Sequence, residues 1–177
     1  GTPVSTKPAK APQTQQVFRT PVFESDIASF DPGVATDQYS INAIQMVFTG
    51  LVQLNDQLAV VPQLAKSYES SPDGLTWTFH LKPNLKFSDG TPLTSTDVIY
   101  SLDRALSPAI SSVTGVTLTY MGLIKDAGLR STGKVKTLIG DSLAAPDANT
   151  VTIQVSQKTA YFLEALTYPT SFVVEKK

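Results

Sequence analysis

The run Leu75-Thr76-Trp77-Thr78-Phe79-His80-Leu81 constrains this chain more than any other feature. Apolar and polar residues alternate through it without a break, a period that fits a strand with one face on a core. Leu75, Trp77, Phe79 and Leu81 share the inward face, and Thr76, Thr78 and His80 the other. Turn signals close both ends: Ser71-Pro72-Asp73-Gly74 before it and Lys82-Pro83-Asn84 after it. A short strand at Leu85-Lys86-Phe87 and a tight Asp89-Gly90 turn come next. Thr94 then opens a helix as N-cap, with Asp97 three residues on, a capping box with Asp in place of Glu. Val98, Ile99, Leu102, Ala105 and Leu106 form its buried stripe, and Ser107-Pro108 ends it.

The flanks add weaker elements. Residues 1–16 hold Pro3, Pro8 and Pro12 and only Val4 as a sizeable apolar side chain, so residues 1–17 read as an extended tether. Such a stretch is either a frayed terminus or the spacer between a lipid-anchored amino terminus and an extracellular domain. Val17–Phe23 alternates loosely as a strand, and Ser29-Phe30-Asp31-Pro32-Gly33 is a turn by composition. Ile41, Ile44, Val47, Phe48 and Leu51 fall at helical spacing, with Asp37 or Ser40 as cap and Gly50 as a C′ residue. Leu51–Leu58 reads as strand, turn and strand about Asn55-Asp56, and Pro62–Tyr68 is amphipathic, with Leu64, Ala65 and Tyr68 on one side. Further on come a helix within Leu118–Leu129, a strand at Val151–Val155, a helix at Ala160–Leu166 and an extended run at Phe172–Val174. The sum is an α+β domain.

Composition removes most chemistries. Fourteen basic residues face 15 acidic ones, and Arg19, Arg104 and Arg130 are far apart in sequence, so no nucleic-acid partner is expected. With no cysteine there is no disulfide framework, thiolate metal site or cysteine nucleophile. The single histidine, His80, has no second ligand residue two positions away and reads as a surface or hydrogen-bonded side chain. Carboxylates such as Asp31, Asp37, Asp73 and Asp89 sit in turns and helix starts, where a short acceptor satisfies free backbone N–H groups. Gly115, Gly122, Gly128 and Gly133 are too widely spaced for a phosphate loop. Trp77 and Phe79 read as core rather than as a binding platform. No nucleophile, base and orienting group converge, so neither catalytic residues nor a cofactor nor a metal is expected.

Residues 61–104 read VPQLAKSYESSPDGLTWTFHLKPNLKFSDGTPLTSTDVIYSLDR. Pro62-Gln63-Leu64-Ala65, Asp73-Gly74, the aromatic strand, Lys86-Phe87-Ser88-Asp89-Gly90-Thr91-Pro92-Leu93-Thr94 and Asp97-Val98 stand there at fixed offsets. This order resembles the signature region of the family 5 extracellular solute-binding proteins, the peptide- and nickel-binding receptors of ABC importers. Phe30-Asp31-Pro32 is similar to that family's early L-D-P element, Gly50-Leu51-Val52 to its G-L segment, and Ala145-Pro146-Asp147 to a later turn before a strand. Thr49 replaces the family's usual acidic residue, and Tyr68 its common tryptophan.

The resemblance implies part of a type II (class C) periplasmic-binding-protein-like fold, a mixed sheet with packed helices. Residues 18–50 would begin the first of two lobes, and residues 51–177 would supply most of the family's extra domain. Val34, Ala35, Thr36, Asp37 and Gln38 match a cleft-lining position, where extended backbone pairs with a peptide strand; a helix-capping loop explains the same residues equally well. The implied role is non-catalytic: extracytoplasmic capture of a solute, with a short peptide the expected one, and its delivery to ABC permease subunits. Membrane attachment would run only through a lipid anchor outside this chain. The alternative is a structural or protein-interaction domain at the cell surface.

Overall fold

The computed structural model describes Pro12, residues 26–110 and residues 116–176. Apart from Pro12, the tether expected over residues 1–17 and the strand expected at Val17–Phe23 lie outside the described residues. The elements in chain order are α1 (Gln38–Val47), β1 (Val52–Leu54), β2 (Val60–Pro62), β3 (Ala65–Ser70), β4 (Thr76–Leu81), α2 (Ser95–Ala105), α3 (Val116–Met121), α4 (Ala127–Ser131), β5 (Leu143–Asp147), β6 (Thr150–Gln154) and α5 (Phe162–Ala165), followed by a single 3-10 turn at Pro169–Ser171.

The alternating run becomes β4, an inner strand of a four-stranded sheet in the order β3-β4-β6-β5. Phe79 stands opposite Tyr68 on one side and Val151 on the other, and Trp77 stands opposite Ile153. Facing pairs point the same way, so the inner face collects Tyr68, Trp77, Phe79, Val151 and Ile153. Phe79, Val151 and Ile153 are fully buried. Trp77 is half-buried, its ring tilted against Tyr68 and Phe162 at 6.3 and 5.7 Å. Leu75 belongs to the preceding turn instead, its N–H donated to Asp73 Oδ1, and it stays exposed.

The resemblance implies a mixed sheet, but every strand ladder among the described residues is antiparallel. The β3–β4 and β5–β6 connections are short hairpins, which force opposite directions. A parallel contact occurs in the isolated bridge Ile139–Leu143. The amphipathic stretch Pro62–Tyr68 contributes to β3. A register shift between Ala65 and Ser67 puts Ala65 and Tyr68 on one face although they are three residues apart, so the bulge imitates a helical spacing.

α2 lies across the sheet. Val98, Leu102 and Leu106 have no exposed surface, and Ser95 Oγ donates to the Asp147 carbonyl, tying the helix start to the β5–β6 hairpin. Asp97 Oδ2 accepts the Thr94 N–H at 2.8 Å, the return half of the capping box. Asp97→Ala should therefore cost about 1 kcal/mol, seen as a lower denaturant midpoint at unchanged slope.

The single helix expected within Leu118–Leu129 is two, α3 and α4. Gly122 ends the first, where a Cβ would lie 2.3 Å from the Leu118 carbonyl oxygen, and Asp126 takes a positive φ of 63° before the second. Gly50 is not a C′ residue: α1 ends at Val47 with Phe48 as C-cap. A Cβ at 50 would approach the Phe172 ring to 3.0 Å, so a side chain there requires that ring to give way by a few tenths of an ångström. His80 Nε2 lies 3.0 Å from Glu69 Oε1 on the neighbouring strand.

Around the main core, a second small cluster joins Ala35, Ile44 and Phe172, with Phe48 against it. The carboxy-terminal run threads between the two. Val173 N–H donates to the Thr49 carbonyl and Val174 N–H to Ser101 Oγ, each at 2.9 Å.

Candidate functional site

The five residues expected to contact ligand follow the Asp31-Pro32-Gly33 turn, which forms as its composition requires. Val34 and Ala35 both donate their N–H groups to the Asp31 carbonyl at 3.2 Å, and Asp31 Oδ1 accepts the Gly33 N–H at 2.9 Å. The same carboxylate takes both arms of a guanidinium: Arg104 Nη1 donates to Oδ1 at 3.0 Å and Nη2 to Oδ2. Arg104 stands in the last turn of α2, 73 residues away. Gly33 packs so closely that a Cβ there would lie 2.7 Å from Ile110 Cγ2, and its carbonyl accepts from Thr117 Oγ1 at 3.4 Å.

Downstream, Asp37 caps α1, its Oδ1 accepting the Ser40 N–H at 2.8 Å. Ser40, the other candidate cap, is fully buried, and its Oγ accepts from Ala28 N–H and Ser29 N–H at 3.1 Å each. Between these anchors the five residues diverge. Ala35 is buried in the small cluster, Val34 and Asp37 are half-buried, and Thr36 and Gln38 are exposed. Gln38 Nε2 donates to Asn42 Oδ1 at 2.7 Å. The segment thus presents backbone, a hydroxyl and a carboxamide, groups suited to hydrogen bonding rather than to covalent chemistry. Among the described residues no group of three or more His, Cys, Asp or Glu side chains could hold a metal ion.

Electrostatics follow these contacts. The hydrogen bond from Arg104 holds the Asp31 carboxyl below its ordinary pKa against a smaller opposing effect of burial, and the same bond raises Arg104. The Ser40 hydroxyl and N–H likewise lower Asp37. A group whose folded pKa is depressed contributes stability that is complete above its unfolded pKa and is lost as pH falls through the folded value. For Asp31 that loss begins near the ordinary value of 3.8 and continues below it. In acid titrations of stability, Asp31→Asn should flatten the fall below about pH 4 and lower stability at neutral pH.

Apart from that segment, a concavity of about 440 Å³ lies between α1, the β1–β2 pair and residues 167–172, lined by Gln45, Phe48, Gln53, Leu54, Gln63 and Tyr168 among others. Tyr168 stacks on Tyr120 with ring centroids 3.6 Å apart and planes within 8°, and burial pushes its hydroxyl pKa up, with Tyr120 adding to the shift. Sequence reasoning missed this groove, since its residues come from separate elements and form no motif. It missed Arg104 for the same reason. The only usable signal there was a carboxylate beside Pro and Gly in a chain with three arginines.

The family model described as bacterial extracellular solute-binding proteins, family 5 Middle, matches residues 59–177. The dipeptide-binding protein of Lactococcus lactis subsp. cremoris is 36% identical over 154 residues, which are 86% of this chain and 27% of that protein. The structure of the Escherichia coli murein tripeptide binding protein MppA superposes with a TM-score of 0.77 at 29% identity, covering 86% of this chain and 30% of that one. Listeria monocytogenes OppA bound to peptide gives 0.77 at 27% identity, again over 86% of this chain and 30% of the other. The chain therefore spans less than a third of the length of these relatives.

Proposed function

The chain belongs to the bacterial extracellular solute-binding proteins of family 5, and from that premise we propose that it is part of an extracytoplasmic receptor that captures a short peptide and delivers it to an ABC importer. The observation that carries this reading is the fixed-offset motif of residues 61–104 folding onto the backbone of receptors that include one bound to peptide. In it, residues 18–50 begin one lobe and residues 51–177 form most of an accessory domain. Val34, Ala35, Thr36, Asp37 and Gln38 contribute hydrogen-bonding backbone to the ligand. Such contacts give affinity without reading side chains. The role is binding and release without catalysis. The partners are the permease subunits, and membrane attachment runs through a lipid outside these residues. Among the described residues no helix is long and apolar enough to cross a membrane.

Deleting the encoding gene from its host should abolish uptake of labelled di- to pentapeptides. Undiminished uptake would overturn the proposal and favour a surface interaction domain. A ligand site needs walls on more than one side, and Thr36 and Gln38 face solvent. The 177-residue chain alone should therefore unfold cooperatively at a midpoint that peptides leave unchanged. Specific binding at a hundredfold excess over Kd would add about 2.7 kcal/mol, and a rise of that kind would place a complete site within these residues.

A further inference from the structure

We infer that Arg104 is a positioning residue for the Val34–Gln38 segment, holding its backbone in place through the two-point grip on Asp31. The part of this that concerns affinity rests on the binding role proposed above for that segment.

The argument starts from what Asp31 does at once. Its carbonyl accepts Val34 N–H and Ala35 N–H, its carboxylate accepts Gly33 N–H, and both carboxylate oxygens accept from Arg104. One residue thus carries every hydrogen bond named for the N–H groups of positions 33, 34 and 35. A turn held only by itself leaves its carboxylate free to rotate, whereas the planar fork fixes both oxygens and hence the plane of the side chain.

Arg104 is itself well founded. Its neighbour Asp103 accepts from Arg130 Nε at 3.0 Å and Nη2 at 3.1 Å, and from the Leu138 N–H at 2.7 Å. That pair is almost buried, with side chains 11–12% exposed. The end of α2 is therefore clamped to α4 by one residue and reaches the turn by the next. The other face of α2 packs on β5 and β6. A continuous path runs from the sheet through α2 and Arg104 to Asp31 and the segment after it. Ile110 stands close against Gly33, and Thr117 Oγ1 donates to the Gly33 carbonyl, so the same turn has further contacts outside its own sequence.

Hydrogen exchange of the 177-residue chain, resolved by residue, tests this. In Arg104→Met the Gly33, Val34 and Ala35 amides should exchange about ten- to hundredfold faster, the range set by a hydrogen bond to a charged group. Leu81 and Gln154, whose N–H groups bond within the sheet domain, should keep their rates. Arg104→Lys, which keeps the charge but loses the fork, should recover only part of the protection. A uniform rise at all five amides would reduce Arg104 to a fold-stabilising residue, and unchanged rates at positions 33–35 would show that the turn holds itself; either overturns the inference. Should Arg104→Met not fold, Asp31→Asn must give the same local pattern, because it keeps an acceptor for Gly33 and loses the paired charge.

A second arm reads function. Host cells carrying Arg104→Lys at wild-type receptor levels should take up less labelled peptide than wild type, and equal uptake would overturn the link to affinity. If the wild-type gene supports no peptide uptake, the functional proposal fails by itself, while the exchange pattern still decides the positioning role.

Discussion

Phe79→Ala should lower the unfolding free energy by about 3–5 kcal/mol, the range for truncating a fully buried phenylalanine. Phe79 has no exposed surface, sits on an inner strand between Tyr68 and Val151, and keeps its ring 5.9 Å from that of Tyr68. Both neighbours are themselves held by ladders, so the sheet has little freedom to collapse into the space left behind. A domain of this size loses about 2–4 °C of midpoint per kcal/mol, so thermal unfolding should move down by roughly 10 °C. Against a typical total stability of about 5–15 kcal/mol the loss is large. Leu75→Ala, in the same alternating run but 37% exposed, should stay within about 0.5 kcal/mol. Equal costs at the two positions would contradict the burial pattern of β4.

The second large effect belongs to Arg130. Arg130→Met should cost about 3–5 kcal/mol, because it strands the Asp103 carboxylate in a nearly closed environment. Most of that cost is the penalty of an unpaired charge rather than the worth of the pair. Removing both partners in Arg130→Met with Asp103→Leu should therefore recover much of the loss. Recovery stays incomplete because the Leu138 N–H, bonded to Asp103 Oδ1 at 2.7 Å, then lacks its acceptor at a cost of about 1–3 kcal/mol. The double-mutant cycle measures this coupling directly. Additive single effects would mean that the two side chains act independently, against the two-point geometry between them.

Local signals in the sequence were legible where one element satisfied its own chemistry. The capping box at Thr94 and Asp97, the stripe Val98, Ile99, Leu102, Ala105 and Leu106, and the turns at Asp73-Gly74 and Asp89-Gly90 each depend on residues within a few positions of one another. They form as their spacing requires. Other local patterns fit more than one structure. The amphipathic stretch Pro62–Tyr68 has Ala65 and Tyr68 on one side as its sequence suggests, but through a bulge between Ala65 and Ser67 in a strand. Gly50 resembled a helix stop, whereas α1 ends earlier with Phe48 as C-cap, and what stands close to Gly50 is the Phe172 ring from the far end of the chain.

The candidate segment divides in the same way. The turn at Asp31-Pro32-Gly33 and the cap at Asp37 were readable, since a short acceptor side chain meets backbone N–H groups two or three residues on. Arg104 was not, and neither was the groove beside Tyr168. Asp37, Asp73 and Asp89 at other turns and helix starts also accept nearby backbone N–H groups, so nothing local marked Asp31 as a carboxylate that meets an arginine 73 residues away.

The sequence by itself determined the α+β class, the strand at the centre of the sheet, the capped helix laid over it and the family to which the chain belongs. Period, turn chemistry and motif offsets are properties of neighbouring residues, and they survive in a linear text. Only the tertiary structure decided that Asp31 meets Arg104, that Asp103 meets Arg130, that His80 meets Glu69 and that Phe172 joins Ala35 and Ile44. Those partners are 73, 27, 11 and more than a hundred residues apart. Partner choice at such separations is set by how the sheet and α2 pack, because a charge or an aromatic ring has no preferred distance along the chain, only in space.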